Sequence, residues 1–381
     1  LTNPERPYFE NLDALRFLAA CSVFIFHLGR ELGAFFSALD VFSEFIWLTK
    51  ITDKGALGVN FFFVLSGFLI TYLMIWEYKI KGTFSYKKFL VRRTLRIWPL
   101  YFLVVFIGFV LFPLLIKDYE TNHKVVNYLI FCANFDEIWF GASDSVNFLT
   151  SPWSIAVEEQ FYVVWGLVGT IFLRMARANL GSLKSVIYLF LIVSFAFRWQ
   201  HAEDSRTLYY STLAVMPDLL VGCLLAIFWH ENPEFFNRMR SVKTWKSIII
   251  YILGFSLILL KNAIFSGALV VIERYILAFF FAYVIADQVV HRRSLPVASL
   301  HNKALKLGKI SYGIYMFHLI IMYLFNVYWF KAVNFSGDRI GLVLLSALFY
   351  SVCSWVAVVI VSKFSFSYFE SPFLRIKTRF E

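Results

Sequence analysis

An all-α polytopic membrane fold of about ten crossing helices, with both termini cytoplasmic, is predicted by three features of the 381-residue sequence. It is 60% apolar and 16% charged, against roughly 45–50% and about 25% in soluble domains. It holds ten apolar stretches of membrane-crossing length, and its cations are spread unevenly over the segments that join them. With 45 Phe, 18 Gly, 9 Pro and 4 Cys, the composition excludes a disordered chain, a collagen-like repeat and a small disulfide scaffold. Cys21, Cys132, Cys223 and Cys353 lie far apart without ligand-type spacing and read as small core residues; no metal site is signalled.

A helix crosses ~30 Å of hydrocarbon with ~20 mostly apolar residues and must satisfy its backbone internally. The stretches at 12–30, 55–77, 97–116, 153–173, 185–200, 210–229, 246–260, 266–288, 310–330 and 340–362 meet this need. The first carries Asp13 and Arg16 near its start and no small-residue cleavage site, so it reads as a retained span. The piece at 125–134 is too short to cross and is expected to be re-entrant or interfacial. The longest connectors, 31–54, 79–96, 135–152 and 289–309, leave no room for a second domain, so residues 1–381 read as one membrane domain.

Placing the N-terminus inside puts roughly two-thirds of the Lys and Arg residues on the inner side, as short cytoplasmic loops require. The inner set includes Arg6, Lys79, Lys81, Arg92, Arg93, Arg96, Arg177, Arg292, Arg293 and Arg375; Arg30, Lys117, Arg198, Lys331 and Arg339 fall outside. Topology and contact with anionic membrane lipid then account for the net charge of +11, which removes most of the case for nucleic acid, and no nucleic-acid partner is expected.

The spans also contain ionisable residues: Arg16, His27, Glu158, Glu159, Asp218, Glu273, Arg274 and His318. A charge at the bilayer centre costs roughly 2.5–3.5 kcal/mol, so such groups must face one another or a hydrated cavity. Arg16 and His27 are eleven positions apart; that separation returns to within about 20° of the same helix face, about 16 Å along the axis. Arg16 is either functional or a snorkelling anchor paired with Asp13. His27 is either a polar residue at an outer helix end or a base able to take a hydroxyl proton near neutral pH. The loop after the second span runs from Lys79 to Pro99 with seven cations and no acid, and its Arg92, Arg93 and Arg96 suit phosphate forks and topogenic charge equally. Glu158 and Glu159 open a span, where they could complement the helix dipole; Glu158 and Tyr162 also share a face at i, i+4. Ser311, Tyr315 and His318 form a polar stripe that is either a hydrogen-bonded seam or part of a site. Trp47, Trp139 and Trp153 suit an interfacial belt or a sugar-stacking surface.

Six motifs in order resemble the membrane acyltransferase 3 family of O-acyltransferases. They are Leu12-Asp-Ala-Leu-Arg16 with His27 eleven residues after its arginine, Phe61-Phe-Phe-Val-Leu-Ser-Gly-Phe-Leu69, Arg92-Arg-Thr-Leu-Arg-Ile-Trp-Pro99, Pro152-Trp-Ser-Ile-Ala-Val-Glu-Glu-Gln-Phe-Tyr162, Ser311-Tyr-Gly-Ile-Tyr-Met-Phe-His318 and Phe369-Glu-Ser-Pro-Phe373. The resemblance implies a multi-pass protein of the bacterial inner membrane that transfers an acyl group, often acetyl, from cytoplasmic acyl-CoA to a hydroxyl of a carbohydrate or glycolipid. It assigns function to Arg16, His27 and Glu158 and matches Arg92, Arg93 and Arg96 to a basic cluster for the acyl-CoA co-substrate; no cofactor is resident. Asp13, Ser66, Glu159, Tyr162, Ser311, Tyr315 and His318 stand as substrate or support positions. With no hydrolase-like domain beyond the last span, acceptor recognition is expected in the spans and short outer loops. The expected route is direct transfer with His27, oriented by Glu158, as general base; an acyl-enzyme on Ser66 or His27 is the alternative. A transporter or channel using the same intramembrane Arg, His and Glu residues is the competing class, and a non-catalytic assembly factor a third.

Overall fold

The computed structural model describes residues 7–39, 42–116, 119–141, 148–175, 180–291, 298–330 and 340–380. Arg6, Lys117, Arg177, Arg292, Arg293, Lys331 and Arg339 of the charge argument lie outside them. The described residues form helices and no strands, and ten helical runs are long and apolar enough to cross a membrane. Their main helices are α1 (Glu10–Ala38), α2 (Leu57–Lys81), α3 (Tyr86–Phe106), α4 (Pro152–Met175), α5 (Leu180–Gln200), α6 (Thr212–Glu231), α7 (Thr244–Ile264), α8 (Val270–His291), α9 (Ser311–Phe325) and α10 (Ile340–Phe364). Each expected span overlaps one of the ten helical runs, in order.

Some helices overrun the apolar stretches because polar flanks continue the turns. α1 reaches Ala38, which brings Glu31 into the helix, and the connector that follows carries a helix of its own, Phe42–Thr52. The basic run after the second span is not a loop. α2 ends at Lys81, Gly82 takes the left-handed φ of 68° that favours glycine, and α3 begins at Tyr86, so Arg92, Arg93, Arg96 and Pro99 are helical. The piece at 125–134 holds a short helix, Val125–Leu129, and the start of another, Ala133–Phe140.

The described helices gather in two compact units. The first comprises residues 1–16, 59–90 and 157–306, of which the described part holds the start of α1, most of α2 and α4, and α5 to α8. Within it, α6 packs on α5 and α8, and α7 packs on α8. Pro217 in α6 lacks the N–H that would bond the Leu213 carbonyl, and Ser194 of α5 supplies a hydroxyl to that oxygen at 2.7 Å. α2 and α6 approach closely: a Cβ at Gly67 would strike the Leu219 carbonyl and one at Gly222 the Val64 carbonyl, an approach only glycine permits. Leu189 and Ile192 on α5 and Ile252, Leu253 and Leu260 on α7 are exposed, as lipid-facing side chains would be.

Several charges enclosed in this unit have polar partners. Asp218 of α6 accepts from Arg274 of α8. Arg198, counted above with the outer cations, is a buried α5 residue whose guanidinium donates to the carbonyls of Val271, Ala214 and Val270. Glu273 pairs with Lys261 at 2.9 Å.

The second unit comprises residues 17–58, 91–156 and 307–381 and includes the greater part of α1 and α3 together with α9 and α10. α9 packs on α10, and Leu32, Phe35 and Phe36 of α1 form a buried cluster with Val343, Ala347 and Tyr350 of α10. Outside the long helices, buried Asp136 accepts from the Lys124 backbone N–H and the Asn127 amide, and lies 2.5 Å from His123 Nδ1.

Candidate active site

The second unit contains a histidine pair. His27 of α1 and His318 of α9 have ring centroids 5.0 Å apart. His318 is 1% exposed, and its Nδ1 lies 2.5 Å from the Tyr315 carbonyl oxygen. A carbonyl only accepts, so His318 Nδ1 carries a hydrogen and Nε2 points the other way. His318 Nε2 and His27 Nδ1 are both buried without a hydrogen-bond partner among the described residues. Two imidazoles, each with an unsatisfied nitrogen amid apolar helices, are costly to maintain for folding alone.

The expected α9 stripe is a seam that supports this pair. Tyr315 OH donates to the Ser151 carbonyl at 3.1 Å, which uses its one hydrogen, so the Ser154 hydroxyl at 2.7 Å donates to Tyr315. Ser311 is buried at the head of the same helix. One turn beyond His27 on α1, Glu31 accepts from the Asn326 amide, and Asn326 Oδ1 in turn accepts from Tyr350 OH at 2.8 Å. Glu31 lay beyond the apolar stretch from which the first span was read, which is why the sequence did not point to it.

Arg92 donates to the Phe380 carbonyl at 2.9 Å. Arg93 is partly buried and Arg96 exposed on the same helix.

The remaining site residues lie in the first unit. Arg16 meets Asp13 at 2.5 Å, as the i, i+3 spacing suggested, and Tyr8 OH also donates to Asp13. In α4, Tyr162 OH donates to Glu158 at 2.7 Å, while Ser66 of α2 lies 2.6 Å from the same phenol oxygen. Glu159 is buried beside them in sequence. No group of three or more His, Cys, Asp or Glu residues suited to a metal ion occurs among the described residues.

The chain is 28% identical to YrhL of Bacillus subtilis, named as a candidate peptidoglycan O-acetyltransferase, over 83% of this chain and 49% of that protein. It is 27% identical to the peptidoglycan O-acetyltransferase OatA of Listeria monocytogenes, over 97% of this chain and 56% of that protein. Candidate O-acetyltransferases of Staphylococcus aureus match at 27% over 84% of this chain and 52% of their length. The chain thus spans about half the length of the curated relatives it matches. No solved structure matches it. Ten apolar helices make it a multi-pass integral membrane protein, and the model of the acyltransferase 3 family, described as an acyltransferase domain, matches residues 9–363. The chain belongs to that family.

Proposed function

We propose that the chain transfers an acyl group, acetyl in the first instance, from cytoplasmic acyl-CoA to a hydroxyl of a cell-surface glycan, with His27 as general base. Peptidoglycan is the acceptor to try first, since two relatives carry it in their names. The observation that carries the reading is the His27–His318 pair, two imidazoles with unsatisfied nitrogens inside membrane-length helices. Neutral imidazole is the side chain suited to accept a hydroxyl proton near pH 7.

In this scheme the acceptor O–H gives its proton to His27 and its oxygen attacks the thioester carbonyl carbon. The C–S bond breaks, and the CoA thiolate takes the proton back from His27, leaving ester, thiol and neutral histidine. His318, fixed by the Tyr315 carbonyl, holds the His27 ring in place. Arg92, Arg93, Arg96 and Arg16 are assigned to the phosphates and the thioester of the donor, and Glu158 to orienting reacting groups. The termini and the arginine cluster lie on the cytoplasmic side, and the membrane is the bacterial inner membrane.

The test is thiol release by the purified protein in lipid nanodiscs given acetyl-CoA with and without peptidoglycan fragments. Release that requires the acceptor supports the proposal. Movement of a solute across the membrane with no thiol released would instead make the protein a transporter.

A further inference from the structure

The hydrogens of the α2–α4 contact can be assigned, and their direction bears on Ser66. Tyr162 has one hydroxyl hydrogen, and it goes to the Glu158 carboxylate at 2.7 Å. The 2.6 Å contact between Ser66 Oγ and the same phenol oxygen must therefore run from serine to tyrosine. The result is a directed chain, Ser66 O–H to Tyr162 O–H to Glu158 carboxylate, in which each proton points towards a base. Tyr162 in the middle is 2% exposed, while Ser66 and Glu158 at the ends are only partly buried. Both ends can be reached and the wire between them is shielded.

Its mounting is rigid. The next residue, Gly67, is pressed against the Leu219 carbonyl so closely that no Cβ would fit, and its own carbonyl lies 3.6 Å from Cys223 Sγ. On the other side, Trp165 of α4 donates to Thr71 of α2 at 2.8 Å, one turn beyond the serine. A nucleophile held on two packed helices and wired through a phenol to a carboxylate is the arrangement that activates a hydroxyl. Arg16 and His27 do not account for it.

We propose that Ser66 is a catalytic residue that carries the acyl group as a covalent ester between donor and acceptor, with Tyr162 and Glu158 as positioning residues that take its proton. The proposal rests on the acyl-transfer reading above and replaces direct transfer by two half-reactions. In the first, Ser66 Oγ attacks the thioester carbonyl and its proton passes through Tyr162 to Glu158. The C–S bond breaks, and the thiolate leaves as CoA thiol by taking a proton from the Tyr162 hydroxyl, which Glu158 reprotonates. In the second, an acceptor hydroxyl attacks the serine ester. The C–O bond to Ser66 breaks, the acyl group moves to the acceptor, and the proton lost by the acceptor hydroxyl ends on Ser66 Oγ.

The experiment is acid-quenched intact-mass and peptide mass analysis of the full chain in nanodiscs, incubated with acetyl-CoA and no acceptor. The expected result is a burst of up to one thiol per chain, with one acetyl on the peptide containing Ser66 that disappears when acceptor is added. Ser66→Ala should remove both adduct and burst. Ser66→Cys should form a thioester cleaved by neutral hydroxylamine, a signature no structural role would give. Tyr162→Phe should slow the burst about 100-fold while the acetyl still maps to Ser66. Acceptor-dependent thiol release with no acetyl on Ser66, or acetyl on another residue, would overturn the proposal and leave the acyltransferase reading intact. Absence of any thiol release with acceptor present would overturn that reading as well. The wild-type mass measurement decides the matter even if the serine variants fail to fold.

Discussion

Asp218 is fully buried, 0% exposed, and the Arg274 side chain that donates to it is 8% exposed. Asp218→Ala would leave the Arg274 guanidinium enclosed without its carboxylate. Arg198 could not help, because it is a second cation already bonded to three carbonyls. Breaking a buried pair by removing one partner costs about 3–5 kcal/mol, whereas replacing both partners by apolar residues is often neutral or better. Asp218→Ala should therefore cost about 3–5 kcal/mol, Arg274→Met a similar amount, and the double variant less than either. The coupling in the cycle should be at least about 2 kcal/mol. The assay is equilibrium unfolding in mixed detergent micelles, followed by tryptophan fluorescence. Single variants within about 1 kcal/mol of wild type, or costs that simply add, would refute the view that the two charges hold α6 to α8 as a neutral unit.

Two further predictions concern other parts of the chain. Replacing Arg92, Arg93 and Arg96 by Gln should raise KM for acetyl-CoA about 10-fold or more with little change in kcat, measured by initial rates of thiol release, because phosphate forks contribute binding and not chemistry. Asp204 caps the helix Ser205–Tyr210 by accepting from the Thr207 N–H at 3.0 Å, and the Thr207 bonds hold its carboxyl below the usual range. Its contribution is present above the unfolded carboxylate pKa and is lost as pH falls through the lower folded value. Asp204→Ala should thus cost about 0.5–1 kcal/mol at pH 7 and nothing once both carboxyls are protonated, measured by thermal melts across pH.

What the sequence made legible was local. Ten apolar runs gave ten helices because span length is a property of one segment, and the Asp13–Arg16 and Glu158–Tyr162 contacts followed from i, i+3 and i, i+4 geometry. Helix ends were misjudged wherever polar residues kept the helix going. Arg92, Arg93 and Arg96 read as loop because the apolar run starts after them, and Glu31 was set aside in a connector for the converse reason. Arg198 counted only as an outer-side cation because nothing nearby in sequence shows that it meets carbonyls at the heads of two other helices. The partnership of His27 with His318 joins opposite ends of the chain, so a single sequence displays the two residues but not their proximity.

The central claim, that an imidazole on α1 drives acyl transfer, is tested most directly by acceptor-dependent thiol release with His27→Ala and His27→Gln in nanodiscs, beside acetyl-CoA affinity and melting curves of the same preparations. The account predicts a fall in turnover of about 10²–10⁴-fold, with affinity and melting close to wild type. Turnover at the wild-type rate in either folded variant would contradict it.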